Sequence, residues 1–289
     1  LTAQSMLEGT YYWRVRAGDG TGNWSLYFPT AKFTIDTTPP TSNSISIAGG
    51  ASYTSSTSVT LSLASTGASQ MRFKNDSGSY GSFVTYATSH SHTLANTQGT
   101  RTVWVKFRDA AGNVASAASD TIVFDSVAPS AGTVADGSGT DIDVQSSTST
   151  IQANWSGFSD ATSGIALYQW AIGTTQGGTQ TMGWTTAPST TGTKTGLSLS
   201  NGVTYYVSVR AKDKAGNTSS AAISDGVLAN TSGPTSNAIS INGGASYTSS
   251  TSVTLSLAST GAAQMRFKND NGSWSSYEAY TTSKFWSLS

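Results

Sequence analysis

The sequence repeats itself at an offset of 194 residues. Residues 52–76 (SYTSSTSVTLSLASTGASQMRFKND) recur as 246–270 with one change, Ser69 against Ala263. The same offset carries Tyr11-Tyr12 onto Tyr205-Tyr206, and Asp19, Gly22 and Asn23 onto Asp213, Gly216 and Asn217. A chain that copies itself at this spacing is a tandem array of small units, each able to bury its own core. That restricts the fold more than any single motif does. The chain begins and stops inside a repeat, so the simplest expectation is a piece of a longer protein.

Within the repeats, apolar residues alternate with polar ones. Val59, Leu61 and Leu63 fall on one face of Ser58–Leu63. Val103, Val105 and Phe107 oppose Trp104, Lys106 and Arg108, and Met71 and Phe73 alternate with Arg72 and Lys74. A period of two is the pattern of strands that bury one face only. No stretch holds a helical apolar period over three turns. The fold class expected is all-β, as tandem seven-stranded antiparallel β-sandwiches in a linear array.

Charged residues make up 10% of the chain, 15 Lys and Arg against 15 Asp and Glu. A usual share is about 25%. With no net charge, nothing steers nucleic acid toward the chain. No run approaches the roughly 18 apolar residues of a membrane span, so no membrane insertion is expected. Cysteine is absent, which excludes disulfides and thiolate chemistry.

Proline-bearing stretches mark the boundaries: Asp36-Thr37-Thr38-Pro39-Pro40, Asp125-Ser126-Val127-Ala128-Pro129 and Asn230-Thr231-Ser232-Gly233-Pro234. They divide the chain into 1–38, 39–127, 128–232 and 233–289, with two kinds of unit alternating. Their shortness and proline content predict semi-rigid joints.

The segment Leu199–Ala211 (LSNGVTYYVSVRA) with Trp155 in Ile151–Trp155 resembles the fibronectin type III family. The resemblance implies that 128–232 is such a sandwich and that 1–38 is the C-terminal part of another. It also implies that Trp155 is a core tryptophan and that Tyr205, with Tyr11 in the same place, bonds nearby backbone through its hydroxyl. The stretch Val103–Asn113 (VWVKFRDAAGN) and the Asp-Thr-Thr-Pro-Pro junction are similar to bacterial Ig-like repeats of large surface proteins. That implies an Ig-like sandwich over 39–127 and the N-terminal part of a second over 233–289. The function implied is structural: a spacer or adhesin-type stalk of an extracellular bacterial surface protein that presents other domains. The alternative is accessory, glycan-binding modules of a secreted polysaccharide-active enzyme. Partners on these readings are flanking repeats of the same chain and cell-surface glycans or proteins.

Candidate sites are few. Asp-x-x-Gly-Asn occurs at Asp19–Asn23, Asp109–Asn113 and Asp213–Asn217. Its spacing predicts a type I turn into a left-handed glycine, with the Asp accepting bonds from the turn backbone. Asp36 and Asp125 stand at junctions that large adhesins of similar build stiffen with calcium. They are the calcium candidates, although the third junction has Asn230 in that place. The stretch Asp136–Asp143 lacks the glycine and the glutamate of an EF-hand and reads as a turn into the first strand. His90 and His92 share a strand face, but their counterparts are Lys284 and Trp286, which argues against a metal site. Glutamate occurs only at Glu8 and Glu278, and no nucleophile elbow or phosphate loop is present. The expectation is no enzyme, with no catalytic and no cofactor-binding residues. Tyr80, Phe83 and Tyr86 align with Trp274, Tyr277 and Tyr280. These aromatics either pack over the edge of a thin core or face a ligand as a sugar-stacking platform.

Overall fold

The computed structural model describes residues 6–288. Among them all regular structure is extended, apart from two single 3-10 turns at Ala48–Gly50 and Asn242–Gly244. Strands β1 (Gly9–Trp13) and β2 (Ala31–Ile35) form an antiparallel pair at the start.

Eight strands follow: β3 (Thr41–Ile47), β4 (Tyr53–Thr54), β5 (Ser58–Thr66), β6 (Gln70–Asn75), β7 (Val84–Thr85), β8 (Ser89–Thr93), β9 (Gly99–Arg108) and β10 (Ala118–Phe124). They make a three-stranded sheet ordered β3-β5-β8 and a five-stranded sheet ordered β4-β10-β9-β6-β7. The two sheets share one buried cluster. Ile47, Val59, Leu61 and Leu63 come from the first sheet, and Met71, Val103, Val105, Phe107 and Ile122 from the second. Burying such a side chain contributes about 1.5–3 kcal/mol, which is why the period of two in the sequence survives as structure.

The expected seven antiparallel strands need correcting in two respects. The first strand is cut in two, which raises the tally about this core to eight. β3 pairs with β5, then Gly49 and Gly50, at φ 68° and 87°, turn the chain toward the opposite sheet. There β4 lies parallel to β10, with Tyr53 opposite Val123.

The same device recurs in the next group: β11 (Thr133–Asp136), β12 (Val144–Gln145), β13 (Ile151–Ser156), β14 (Ile165–Gly173), β15 (Met182–Ala187), β16 (Thr191–Lys194), β17 (Thr204–Asp213), β18 (Ala222–Ile223) and β19 (Val227–Ala229). The sheets run β11-β13-β16 and β12-β19-β17-β14-β15, with β18 also on β17. β12 is parallel to β19. Residues 137–143, read from sequence as a turn into the first strand, instead connect its two halves.

Trp155 is buried in the second core beside Tyr168 and Trp170, the place its resemblance implies. The Tyr205 hydroxyl accepts the backbone N–H of Ser200 at 2.8 Å, and the Tyr11 hydroxyl donates to the Leu7 carbonyl at 2.8 Å.

The last group shows the copied sequence in a different setting. β20 (Thr235–Ile241), β21 (Ser252–Thr260) and β24 (Ser283–Ser287) rebuild the three-stranded sheet. β22 (Gln264–Met265) and β23 (Glu278–Ala279) are all that forms of the other. Among the described residues β22 pairs with β23 alone, whereas β6 pairs with both β7 and β9. The strand that runs six residues in the first copy is two residues long here. Ile47 is fully buried, whereas its copy Ile241 is 41% exposed. Tyr53 pairs in β4, whereas Tyr247 is 93% exposed. Strand formation here depends on cross-strand partners more than on local propensity.

A close contact in the second core gives a test. A Cβ at Gly192 of β16 would lie 2.8–3.0 Å from ring atoms of Trp170, while one at Gly183 of β15 meets nothing within 4 Å. Gly192→Ala is expected to cost about 1–3 kcal/mol through overpacking. Gly183→Ala should stay within about 0.5 kcal/mol of the parent. Urea denaturation midpoints of the two variants check this, and equal midpoints would contradict it.

Candidate functional site

The Asp-x-x-Gly-Asn segments fold as the turn predicted, and do more. After β9, the Asp109 carboxylate accepts the N–H groups of Gly112 at 2.7 Å and Asn113 at 2.9 Å. Gly112 takes φ 103°, a conformation that favours glycine. After β17, Asp213 accepts the N–H of Asn217 at 2.8 Å and its side-chain amide at 2.7 Å. Burial works against the charged form of Asp109, but the donors of Asn113, Gly112 and Ala111 outweigh it and hold the carboxyl below its ordinary value. Asp19 is exposed, and bonds from Asn23 and Thr21 hold it well below the usual carboxylate range.

In two of the three turns the closing asparagine also reaches the preceding junction. Asn113 donates from Nδ2 to the carbonyl of Asp36 at 2.9 Å, and Asn217 to the carbonyl of Asp125 at 2.8 Å. Sequence reasoning assigned these residues to the turn alone. The signal that pointed further was that the junctions at Asp36 and Asp125 are each followed by one Asp-x-x-Gly-Asn.

At the junctions themselves, the Asp36 carboxylate accepts the N–H of Thr38 at 3.0 Å and Asp125 accepts that of Val127 at 3.1 Å. Asn230 makes the same bond to the N–H of Ser232 at 2.9 Å. The function common to the three positions is a local turn that Asn supports as well as Asp, which accounts for the third copy.

Two groups of three carboxylates come within 4.8 Å among the described residues, and Asp36 belongs to neither. One group is Asp125, Asp160 and Asp213. Asp125 is fully buried, and its second oxygen accepts the N–H of Ser163 at 3.1 Å. Asp160 accepts from the backbone of Thr162, Ser163 and Gly164. Burial raises the Asp160 carboxyl, but these donors outweigh it and leave it below its ordinary value. Both oxygens of Asp125 and both of Asp213 are thus engaged by protein donors.

The second group, Asp136, Asp141 and Asp225, lies where β11 gives way to the crossing loop, beside the approach to β19. Burial pushes Asp136 up to about 6, and the charges of Asp141 and Asp225 act in the same direction against hydrogen bonds from Ser224 and Gly226. Its third member is distant in sequence, so no local spacing rule finds it.

The six aromatic candidates divide into two kinds. Tyr86 packs edge-on against Phe107 at 5.8 Å, and its hydroxyl accepts the N–H of Ser65 at 3.1 Å. Tyr280 likewise donates to the carbonyl of Leu257 at 3.3 Å. Tyr80 and Phe83 sit beside the cations of β6 and β9. Arg72, Lys74 and Lys106 lie 5.0–5.3 Å from the Tyr80 ring, and Arg72 and Arg108 lie 4.6 and 4.0 Å from Phe83. The copy repeats the arrangement, with Arg266 4.9 Å from Trp274 and 4.7 Å from Tyr277. Arg210 over Trp184 and Arg16 over Trp24 extend it to the other unit type. Each cation–π contact is worth about 0.5–1 kcal/mol at such exposed sites.

The two histidines are engaged within the protein. His90 stacks on Phe73 at 4.6 Å, and His92 Nε2 lies 2.8 Å from Asn75 Oδ1. Asn75 donates its amide to the Thr93 carbonyl, which leaves its Oδ1 as the acceptor and makes His92 the donor. In the copy Trp286 donates from Nε1 to Asn269 Oδ1 at 2.6 Å. The His-to-Trp difference between copies preserves one hydrogen bond.

No protein-family profile and no curated protein matches the chain. Many solved structures resemble the chain at low identity, among them the following three. The fibronectin(III)-like modules of Clostridium thermocellum CbhA share 13% identity over 64% of this chain and 94% of theirs, with a TM-score of 0.38. The FN1–FN3 domains of chicken CNTN1 share 16% over 76% and 77%, at 0.39. Domains A168–A170 of titin share 16% over 77% and 75%, at 0.41.

His92 supplies a pH test. Burial, and to a lesser degree the charge of His90, lowers its imidazole from the ordinary value. The neutral ring is favoured in the fold, so its contribution is full above about pH 6.5 and is lost as the pH falls through the lowered value. His92→Trp, which keeps the donor, is expected to fold and to lose less melting temperature than the parent between pH 7 and pH 5. Parallel acid-side losses in both proteins would refute the assignment.

Proposed function

We propose that the chain is a non-catalytic spacer: a run of β-sandwich units, 39–127 and 128–232, flanked by the partial units 1–38 and 233–289, in an extracellular bacterial surface protein that presents other domains. The observation that carries this reading is the paired junction bond. Asn113 and Asn217 each tie the peptide leading into their own unit to the turn after its long strand. The Ser163 N–H adds a second tie to Asp125. Inter-domain motion is the default unless something restrains it. A repeated hydrogen bond next to a proline-bearing linker is such a restraint, and a stiff joint is what a spacer requires. The side chains nearest to reactive chemistry, His90, His92 and the turn aspartates, are taken up by structural bonds. Among the described residues no helix is long and apolar enough to cross a membrane.

The accessory-module reading, with glycans on the aromatics, comes second. It draws on the exposure of Trp274 and Tyr277, at 52% and 60%. In the unit with both sheets Tyr80 and Phe83 are only half-exposed and have cations against their rings.

The test uses the absence of cysteine. Thr97→Cys with Thr179→Cys places one spin label on either side of the Asp125 junction, with no competing thiol. The inter-label distance distribution should be narrow in the parent and about twofold broader once Asn217→Ala removes the tie. An unchanged width would remove the support for a restrained joint.

A further inference from the structure

The crossing between β11 and β12 holds a buried charge that the protein leaves half unsatisfied. Asp136, the last residue of β11, is fully buried. Its Oδ2 accepts the N–H of Gly226 at 3.1 Å, while its Oδ1 has no hydrogen-bond partner. A buried carboxylate oxygen without a donor is costly, and almost every such atom in a folded protein has a partner. Beyond the Gly226 N–H and the Ser224 hydroxyl, the surroundings of the carboxyl offer more negative charge. Oxygens of Asp136, Asp141 and Asp225 lie within 4.8 Å of one another. Asp141 does not swing out to solvent, because its Oδ1 accepts the backbone N–H of Asp136 at 2.6 Å. The ion pairs found among the described residues, Arg101–Asp76 and Lys284–Glu278, lie elsewhere.

We propose that Asp136, Asp141 and Asp225 form a calcium site that pins the crossing loop to the start of β19. The three carboxylates each offer one hard oxygen ligand, and the exposure of Asp141 and Asp225 leaves room for water in the remaining positions. Calcium, with six to eight oxygens in flexible geometry, suits this donor set. Magnesium demands a tighter octahedron, and zinc favours nitrogen and sulfur. The ion would give Asp136 Oδ1 its missing partner and cancel the mutual repulsion of the three acids. It would also join the two sheets of one core, since β11 belongs to one sheet and β19 to the other. This site differs from the Asp125, Asp160 and Asp213 group, where protein donors engage both oxygens of Asp125 and of Asp213.

The experiment is calorimetric titration of the whole chain, stripped with chelator, with calcium chloride up to about 10 mM, alongside melting curves with and without the ion. Saturable binding and a rise in melting temperature are expected. Asp141→Asn with Asp225→Asn changes two exposed residues and should keep the β circular-dichroism signature while weakening binding at least about tenfold. Asp125→Asn should bind as the parent does. Absence of binding in the parent overturns the proposal, as does binding that survives the double variant, or that is lost in Asp125→Asn and kept in the double variant. Should the double variant misfold, Asp225→Asn alone is read the same way.

Discussion

Each core in this chain is built from alternate positions of its strands, so every strand has a second face that the core cannot satisfy. That constraint shapes the rest of the molecule. On β9, Val103, Val105 and Phe107 are fully buried, which obliges Trp104, Lys106 and Arg108 to point outward. The outward face is covered by aromatics laid against cations, a device that recurs at Arg72, Arg266, Arg210 and Arg16. With only 10% charged residues, the protein places much of its positive charge where it also does packing work. The inner face sets the fold, and the outer face uses the same strands to hold the loops.

The joints follow a similar economy. A single asparagine closes a turn within its own unit and holds the backbone of the preceding linker. The residue at the head of each linker makes a local turn whether it is Asp36, Asp125 or Asn230. Asp and Asn supply the same acceptor oxygen to that turn. The same logic accounts for His92 and Trp286, unlike residues that deliver one N–H to one amide oxygen.

What was legible in the sequence was whatever depends on neighbours two to five residues away. The period of two located the buried faces of β5, β6 and β9, and the Asp-x-x-Gly-Asn spacing gave its turn. The placement of Trp155 and Tyr205 followed from resemblance and agrees with the contacts those side chains make. What escaped depends on pairs far apart in the chain. The split first strand is visible only when Tyr53 is seen against Val123 and Val144 against Leu228. The reach of Asn217 to Asp125 and the approach of Asp225 to Asp136 span most of a unit. Local sequence is not sufficient even for strands. Residues 52–76 and 246–270 differ at one position, yet the stretch that is β6 in the first copy keeps only Gln264–Met265 in the second.

The near-identity of those two stretches has a consequence during synthesis. Strands that pair through the same side chains can pair with the wrong copy, and exchange between like units is a characteristic misfolding route of repeat chains. Here the copies are separated by a unit of different sequence, with its own core about Trp155 and Ile172. When a chain emerges from its N-terminus, that intervening unit can close before the second copy is complete. Alternation thus acts as a kinetic partition, keeping duplicated strands apart while their correct partners are still being made.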